Sequence, residues 1–316
     1  MGRVVLSIDA ELAWGFHDLQ EPPADRLRDP RAAWRRLVEL LEEFSIPATW
    51  AVVGHLMLEE GNGDHADHPL AGSGWFDADP ECDATAAGHW YGPDLVEEVR
   101  SAAADHEIGC HAFSHVVFDR DRIDESTATA EVRRCVELAD EWDLSLESFV
   151  FPRNVVGFRE VLARHGFRAY RGNTPSRWYD DSAAYPLAKV ADFAVSDSPP
   201  PIVSPKIDEH GLVDVPASLC LFSFERGAPV LEPVIGDHPV VRQAKLAIDE
   251  VADGDGIAHF WLHPNDLVHE SDYDRLREVL AYVATRRDEG RLTVETIGDV
   301  ARQTLDRRDV PERTYG

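Results

Sequence analysis

Short apolar runs alternate with longer amphipathic runs along almost the whole chain, and that rhythm limits what it can fold into. Val4–Asp9, Ala48–Val53, Glu107–His111, Ser148–Pro152, Ala169–Gly172, Val213–Ser218, Ile257–His263 and Leu292–Ile297 read as strands. Each is short and mostly apolar, as strands buried on both faces are. Between them, Pro30–Phe44, Pro93–Ala104, Asp124–Trp142, Gly157–His165, Val240–Ala252, Ser271–Arg287 and Gly298–Leu305 read as helices. Pro30–Phe44 is the clearest, with apolar residues at helical spacing, Asp29 as N-cap and Pro30 in the first turn. Strands joined through helices pair in parallel, so the expected fold is α/β: a distorted (β/α) barrel of seven or eight mostly parallel strands. One domain over residues 1–316 is expected, with loop insertions at about 60–92 and 173–211.

In such a barrel, chemistry collects at the carboxyl ends of the strands. Asp9 and Glu11 end the first strand, His111 and His115 follow the third, Pro152 and Arg153 end the fourth, and His263 ends a late one. Asp9 and Glu11 are two apart and point the same way on a straight strand. One suits metal binding and the other proton abstraction. His111 and His115 supply two imidazoles four residues apart, so with a carboxylate they make a divalent-metal set.

Spacing alone is weak here. The chain has 14 histidines, so chance supplies about 0.6 such pairs. A second pair, His259 and His263, lies along a predicted strand. Residues four apart in a strand are about 13 Å apart, so those two do not share an ion. His259 is therefore expected to be structural, and His263 a general acid with its pKa near neutrality.

The insertion holds His65, His68 and His89 with Asp64 and Asp67. A solvated loop is the expected reading and a second metal site the other. Trp90 and Tyr91 offer a sugar-stacking platform, or packing beneath a loop. Asp192 and Asp197, in the second insertion, default to solvated surface.

The charge excludes some partners. There are 59 acidic against 31 basic residues, a net charge of −28, and Lys189, Lys206 and Lys245 are the only lysines. No basic patch suits nucleic acid. An acidic, lysine-poor surface fits a halophilic protein, because molar salt shortens the Debye length to about 3 Å and screens the repulsion. Cys82, Cys110, Cys135 and Cys220 lack metal spacing and are expected to be reduced and buried. No secretion signal or membrane-spanning run is visible, so a cytoplasmic protein without membrane insertion is expected.

Taken in order, these segments resemble the polysaccharide deacetylase superfamily (NodB homology, carbohydrate esterase family 4). Ser7-Ile-Asp9-Ala-Glu11 looks like its first motif in a variant with spaced acids. Glu107-Ile-Gly-Cys-His111-Ala-Phe-Ser-His115 looks like the second, Phe149-Val-Phe-Pro152-Arg153-Asn154 like the third, and Trp261-Leu-His263 like the last. The resemblance implies a metal-dependent hydrolase of C–N amide bonds, with zinc the preferred ion and cobalt, nickel or manganese as others. It implies Asp9 as general base, Glu11, His111 and His115 as metal ligands, and His263 as general acid. The backbone N–H of Arg153 would help hold the oxyanion. The chain departs from the family pattern where Val150 stands in place of the third motif's arginine, so Arg153 is the available substitute for orienting the base. The family's Asp/Trp motif has only Asp192 as a candidate. An N-acetylated sugar or glycan precursor is the expected substrate. A small cyclic amide, as for an allantoinase-like enzyme, and a non-catalytic carbohydrate-binding role are the alternatives.

Overall fold

The structure is a computed structural model that describes residues 1–59, 65–80, 88–177, 180, 197–222 and 238–309. Its strands are β1 (Arg3–Ala10), β2 (Thr49–Val52), β3 (Glu107–Cys110), β4 (Ser148–Val150), β5 (Ala169–Gly172), β6 (Lys206–Ile207), β7 (Val213–Pro216), β8 (Leu219–Cys220), β9 (Ile257–Leu262) and β10 (Thr293–Glu295). The helices are α1 (Pro30–Glu43), α2 (Pro93–Ser101), α3 (Glu125–Glu141), α4 (Arg159–Arg164), α5 (Pro239–Asp253), α6 (Glu270–Asp288) and α7 (Ile297–Asp309). As the sequence predicts, Asp29 caps α1, accepting from the Ala32 N–H at 3.2 Å.

The strands form one curled, mostly parallel sheet in the order β6-β7-β5-β4-β3-β2-β1-β9-β8, with β10 paired to the start of β1. Among the described strands β6 runs antiparallel, against β7, and an isolated antiparallel bridge joins Val203 to Ile257. The run expected as one strand, Val213–Ser218, breaks after Pro216. Its first half pairs with β5, and after the break β8 pairs with β9. One kinked segment thus brings the two ends of the curl together. Proline interrupts the ladder because it has no N–H to donate.

Alternation along the strands sorts the interior. Val4, Leu6, Ile8 and Ala10 of β1 join the large apolar cluster that also includes Trp34, Leu37 and Leu41 of α1. Their alternates, Val5, Ser7 and Asp9, take the other face. Val5 belongs to a second apolar cluster with Val150, Val213, Ile257 and, from α7, Ile297 and Val300. That cluster plugs the amino-terminal end of the curl. Beside it, the Glu107 carboxylate accepts bonds from Thr49 Oγ1 (2.7 Å), Ser148 Oγ (2.5 Å) and the Gly298 N–H (2.9 Å). It therefore ties β2, β3, β4 and α7 together.

Above the apolar plug the interior turns polar. His259 is fully buried, with Nδ1 3.1 Å from the Pro216 carbonyl and Nε2 2.9 Å from Ser7 Oγ. Burial, then the Arg171 charge, pushes its pKa down to about 3, so the ring is neutral. With Nδ1–H given to the carbonyls, Nε2 accepts the Ser7 hydroxyl, and Ser7 Oγ accepts Arg171 Nη1 at 3.1 Å. Arg171 then grips both oxygens of Asp9, at 2.6 and 2.7 Å, while Nη2 also reaches Asn154 Oδ1 at 2.9 Å. His259 is thus a structural residue, as expected.

Removing one partner of a buried ion pair leaves the other charge uncompensated, which costs about 3–5 kcal/mol. Arg171→Met should lower unfolding stability by that order. Adding Asp9→Asn should restore a large part of it. Denaturant unfolding measures both, and strictly additive losses would contradict the coupling.

Candidate metal and active site

Glu11, just after β1, converges with His111 and His115, which follow β3. Glu11 Oε2 lies 3.0 Å from His115 Nε2 and 3.4 Å from His111 Nε2. All three side chains are at most 5% exposed. Ligands about 2.0 Å from a tetrahedral zinc stand about 3.3 Å apart, so the spacing fits one ion. Proton placement fits it too. His111 Nδ1 is 2.7 Å from the Val150 carbonyl, which accepts its N–H. The Nε2 lone pair then faces a carboxylate oxygen, an arrangement that a cation stabilises. The fixed second nitrogen is the usual way a metal-binding imidazole is oriented.

Local backbone makes this convergence possible. Leu12, Ala112, His115, Arg153 and Asn154 have φ of 44, 61, 60, 57 and 55°, left-handed values that non-glycine residues adopt at a penalty. The turn at Ala112 folds the chain so that His111 and His115 face one point, with ring centroids 5.0 Å apart. Ser114 anchors the turn, giving its N–H and hydroxyl to Glu131 at 2.8 and 2.5 Å. Gly15 admits the Glu11 carboxylate, because a Cβ there would lie 1.9 Å from Glu11 Oε1.

Asp9 and His263 stand beside the triad. His263 Nε2 is 3.8 Å from both Asp9 Oδ2 and Glu11 Oε1. Its Nδ1–H goes to Asp266 Oδ2 at 2.9 Å, and Asp266 is paired in turn with Arg26. Its side chain is 21% exposed, against 4% for Asp9, so it is the group of this set that meets solvent. Burial works against the imidazolium, but Asp266, Glu11 and Asp9 raise the His263 pKa to about 10. Burial also opposes ionisation of Asp9 and Glu11. Arg171 nevertheless holds Asp9 below its usual range, and His263 and His115 hold Glu11 well below.

The expectation that the Arg153 side chain orients the base is corrected by the structure. Arg153 Nη2 bonds the Gly15 carbonyl at 2.9 Å and Asp18 at 2.6 Å, away from Asp9. Arg171 of β5 orients Asp9 instead, and in the β4–β5 register it lies opposite Val150. The sequence signal for it was an arginine inside the apolar run Ala169–Gly172, since a charge there must be paired.

The insertion behaves differently from a solvated loop. His65 meets His55 and Asp79, a grouping whose His55 the sequence reading did not single out. His68 pairs with Glu131, and Asp67 is exposed. His89 gives its carbonyl to the Ala13 N–H. Tyr91 is 4% exposed and bonds Asp79, so it is packed beneath the loop instead of forming a platform. Asp197 is exposed and paired with Arg242, while Asp64 and Asp192 lie outside the described residues. Cys110 and Cys135 are free and buried, Cys220 is partly buried, and Cys82 lies outside the described residues.

Residues 25–149 match the family model described as polysaccharide deacetylase. No curated protein matches the chain by sequence. Among solved structures, one from Mycobacterium smegmatis assigned as a polysaccharide deacetylase is 17% identical, with a TM-score of 0.61 over 98% of this chain and 92% of that one. One so assigned from Pseudomonas aeruginosa PAO1 is 14% identical, with a TM-score of 0.61 over 98% and 92%. Puue allantoinase is 14% identical, with a TM-score of 0.59 over 96% of this chain and 90% of that one. At these identities the likenesses concern the fold, which runs nearly the whole length of the chain. The match over residues 25–149, four motifs in order and this fold around them make the chain similar to polysaccharide deacetylases.

Proposed function

We propose that this protein is a metal-dependent hydrolase that removes the acetyl group from an N-acetylated sugar or glycan precursor. The observation that carries the reading is the convergence of Glu11, His111 and His115 beside Asp9 and His263 at one end of the curled sheet. Two imidazoles and one carboxylate suit zinc, with cobalt, nickel and manganese as weaker candidates. The ion supplies Lewis acidity to the acetyl carbonyl and lowers the pKa of water.

The protein groups do the rest. Asp9 takes the proton from the attacking water. Arg171 keeps Asp9 ionised and in one orientation, at some loss of basicity. The Arg153 N–H, set by its left-handed φ of 57°, is the donor for the oxyanion. His263 gives its proton to the leaving nitrogen, and its Nδ1–H bond to Asp266 at 2.9 Å holds the ring in place for that transfer.

Asp9→Asn and His263→Gln should each lower kcat for acetate release from an acetamido sugar by about 10²–10⁴-fold. Both variants should keep their bound zinc, and chelation should abolish wild-type activity. Unchanged acetate release in Asp9→Asn would overturn the mechanism. Hydrolysis of a cyclic ureide and of no acetamido sugar would replace the substrate assignment and leave the metal site standing.

The acidic surface is read as salt-adapted. Raising KCl from about 0.1 M to about 2 M should raise the Tm, by screening repulsion between carboxylates. A Tm that stays level or falls would contradict it.

A further inference from the structure

A second set of metal-type ligands joins the insertion to the end of β2, apart from the triad of Glu11, His111 and His115. His55 Nε2 is 3.1 Å from Asp79 Oδ2, His65 Nε2 is 2.7 Å from the same oxygen, and the two imidazole nitrogens are 3.3 Å apart. We propose that His55, His65 and Asp79 form a second zinc-type site that pins residues 65–80 to the end of β2.

Three observations support it. First, the three ligand atoms are spaced much as in the first triad, and near the roughly 3.3 Å edge expected around a tetrahedral zinc. Second, the ligands carry outer partners of the kind that orient metal-binding groups. His55 Nδ1 faces the Trp90 carbonyl at 3.3 Å, and the Tyr91 hydroxyl donates to the other Asp79 oxygen at 2.6 Å. Third, the protons do not suffice. His55 faces an acceptor with each ring nitrogen, the Trp90 carbonyl on one side and Asp79 on the other. A neutral imidazole has one N–H, so one nitrogen presents a lone pair to an acceptor. A cation between His55 Nε2, His65 Nε2 and Asp79 removes that conflict. His65 Nδ1 is also buried without a hydrogen-bond partner.

The position suggests what the ion does. His65 and Asp79 bracket a segment whose Trp75 donates to Ser114 at 3.0 Å. Phe76 of the same segment stacks on His65 at 4.0 Å and packs against Trp14. Trp75 thus reaches the turn that carries His115, and an ion joining the segment to His55 would fix that contact. The rival account is a hydrogen-bonded His–Asp–His cluster with one imidazole doubly protonated.

The test is zinc stoichiometry on the full chain, titrated with zinc chloride and measured after gel filtration. Wild type should hold two equivalents, while His65→Ala and Glu11→Gln should each hold one. Chelation should increase proteolysis within residues 65–80 of Glu11→Gln, where the second site is the one left. Two equivalents retained by a folded His65→Ala would overturn the proposal. So would saturation of wild type at one equivalent that Glu11→Gln abolishes. One wild-type equivalent lost in His65→Ala but kept in Glu11→Gln would support the second site and remove the first. If His65→Ala does not fold, the wild-type count with Glu11→Gln still decides.

Discussion

Arg171 is the residue on which the site's geometry depends. It is 2% exposed, and its terminal nitrogens reach Ser7, both oxygens of Asp9 and Asn154. A guanidinium has five N–H donors in a rigid fork, so its bonds fix directions as well as distances. Through Asp9 it sets the end of β1, and through Asn154 it holds the strained turn that carries Arg153. Through Ser7 it reaches the neutral His259. A lone buried charge of this kind would be very unfavourable. The Asp9 carboxylate and the chain of polar partners beneath it make the burial tolerable.

This arrangement also accounts for a departure from the family pattern. Val150 stands in place of the third motif's arginine, and Arg171 is its registered neighbour on the adjacent strand. Arg171 thus stands one strand spacing, roughly 4.8 Å in a sheet, from the position where the resemblance puts an arginine. The carboxylate it serves lies at the end of β1. A long side chain tolerates that offset because its reach exceeds the spacing between strands.

Much of the fold was legible in the sequence because parallel strands buried on both faces appear as short apolar runs between amphipathic helices. Asp29, Pro30 and the strand runs up to Gly172 needed nothing beyond local pattern. Two features were not local. Pro216 splits a run that reads as one strand, and whether it ends or kinks a strand depends on partners far away in the chain. The pairing of Arg171 with Asp9 spans 162 residues, and no local pattern encodes that distance. Glu11, His111, His115, Asp9 and His263 were found because all five lie at or just after the carboxyl ends of strands in one curled sheet. His55 escaped for the opposite reason: its partners His65 and Asp79 come from an insertion without periodicity.

The central claim is that Glu11, His111 and His115 hold one ion. Anomalous diffraction from a crystal grown with saturating zinc tests it directly. The account predicts a peak about 2.0–2.2 Å from Glu11 Oε2 and from Nε2 of His111 and His115. Density at saturation that shows no ion among these three side chains would contradict it.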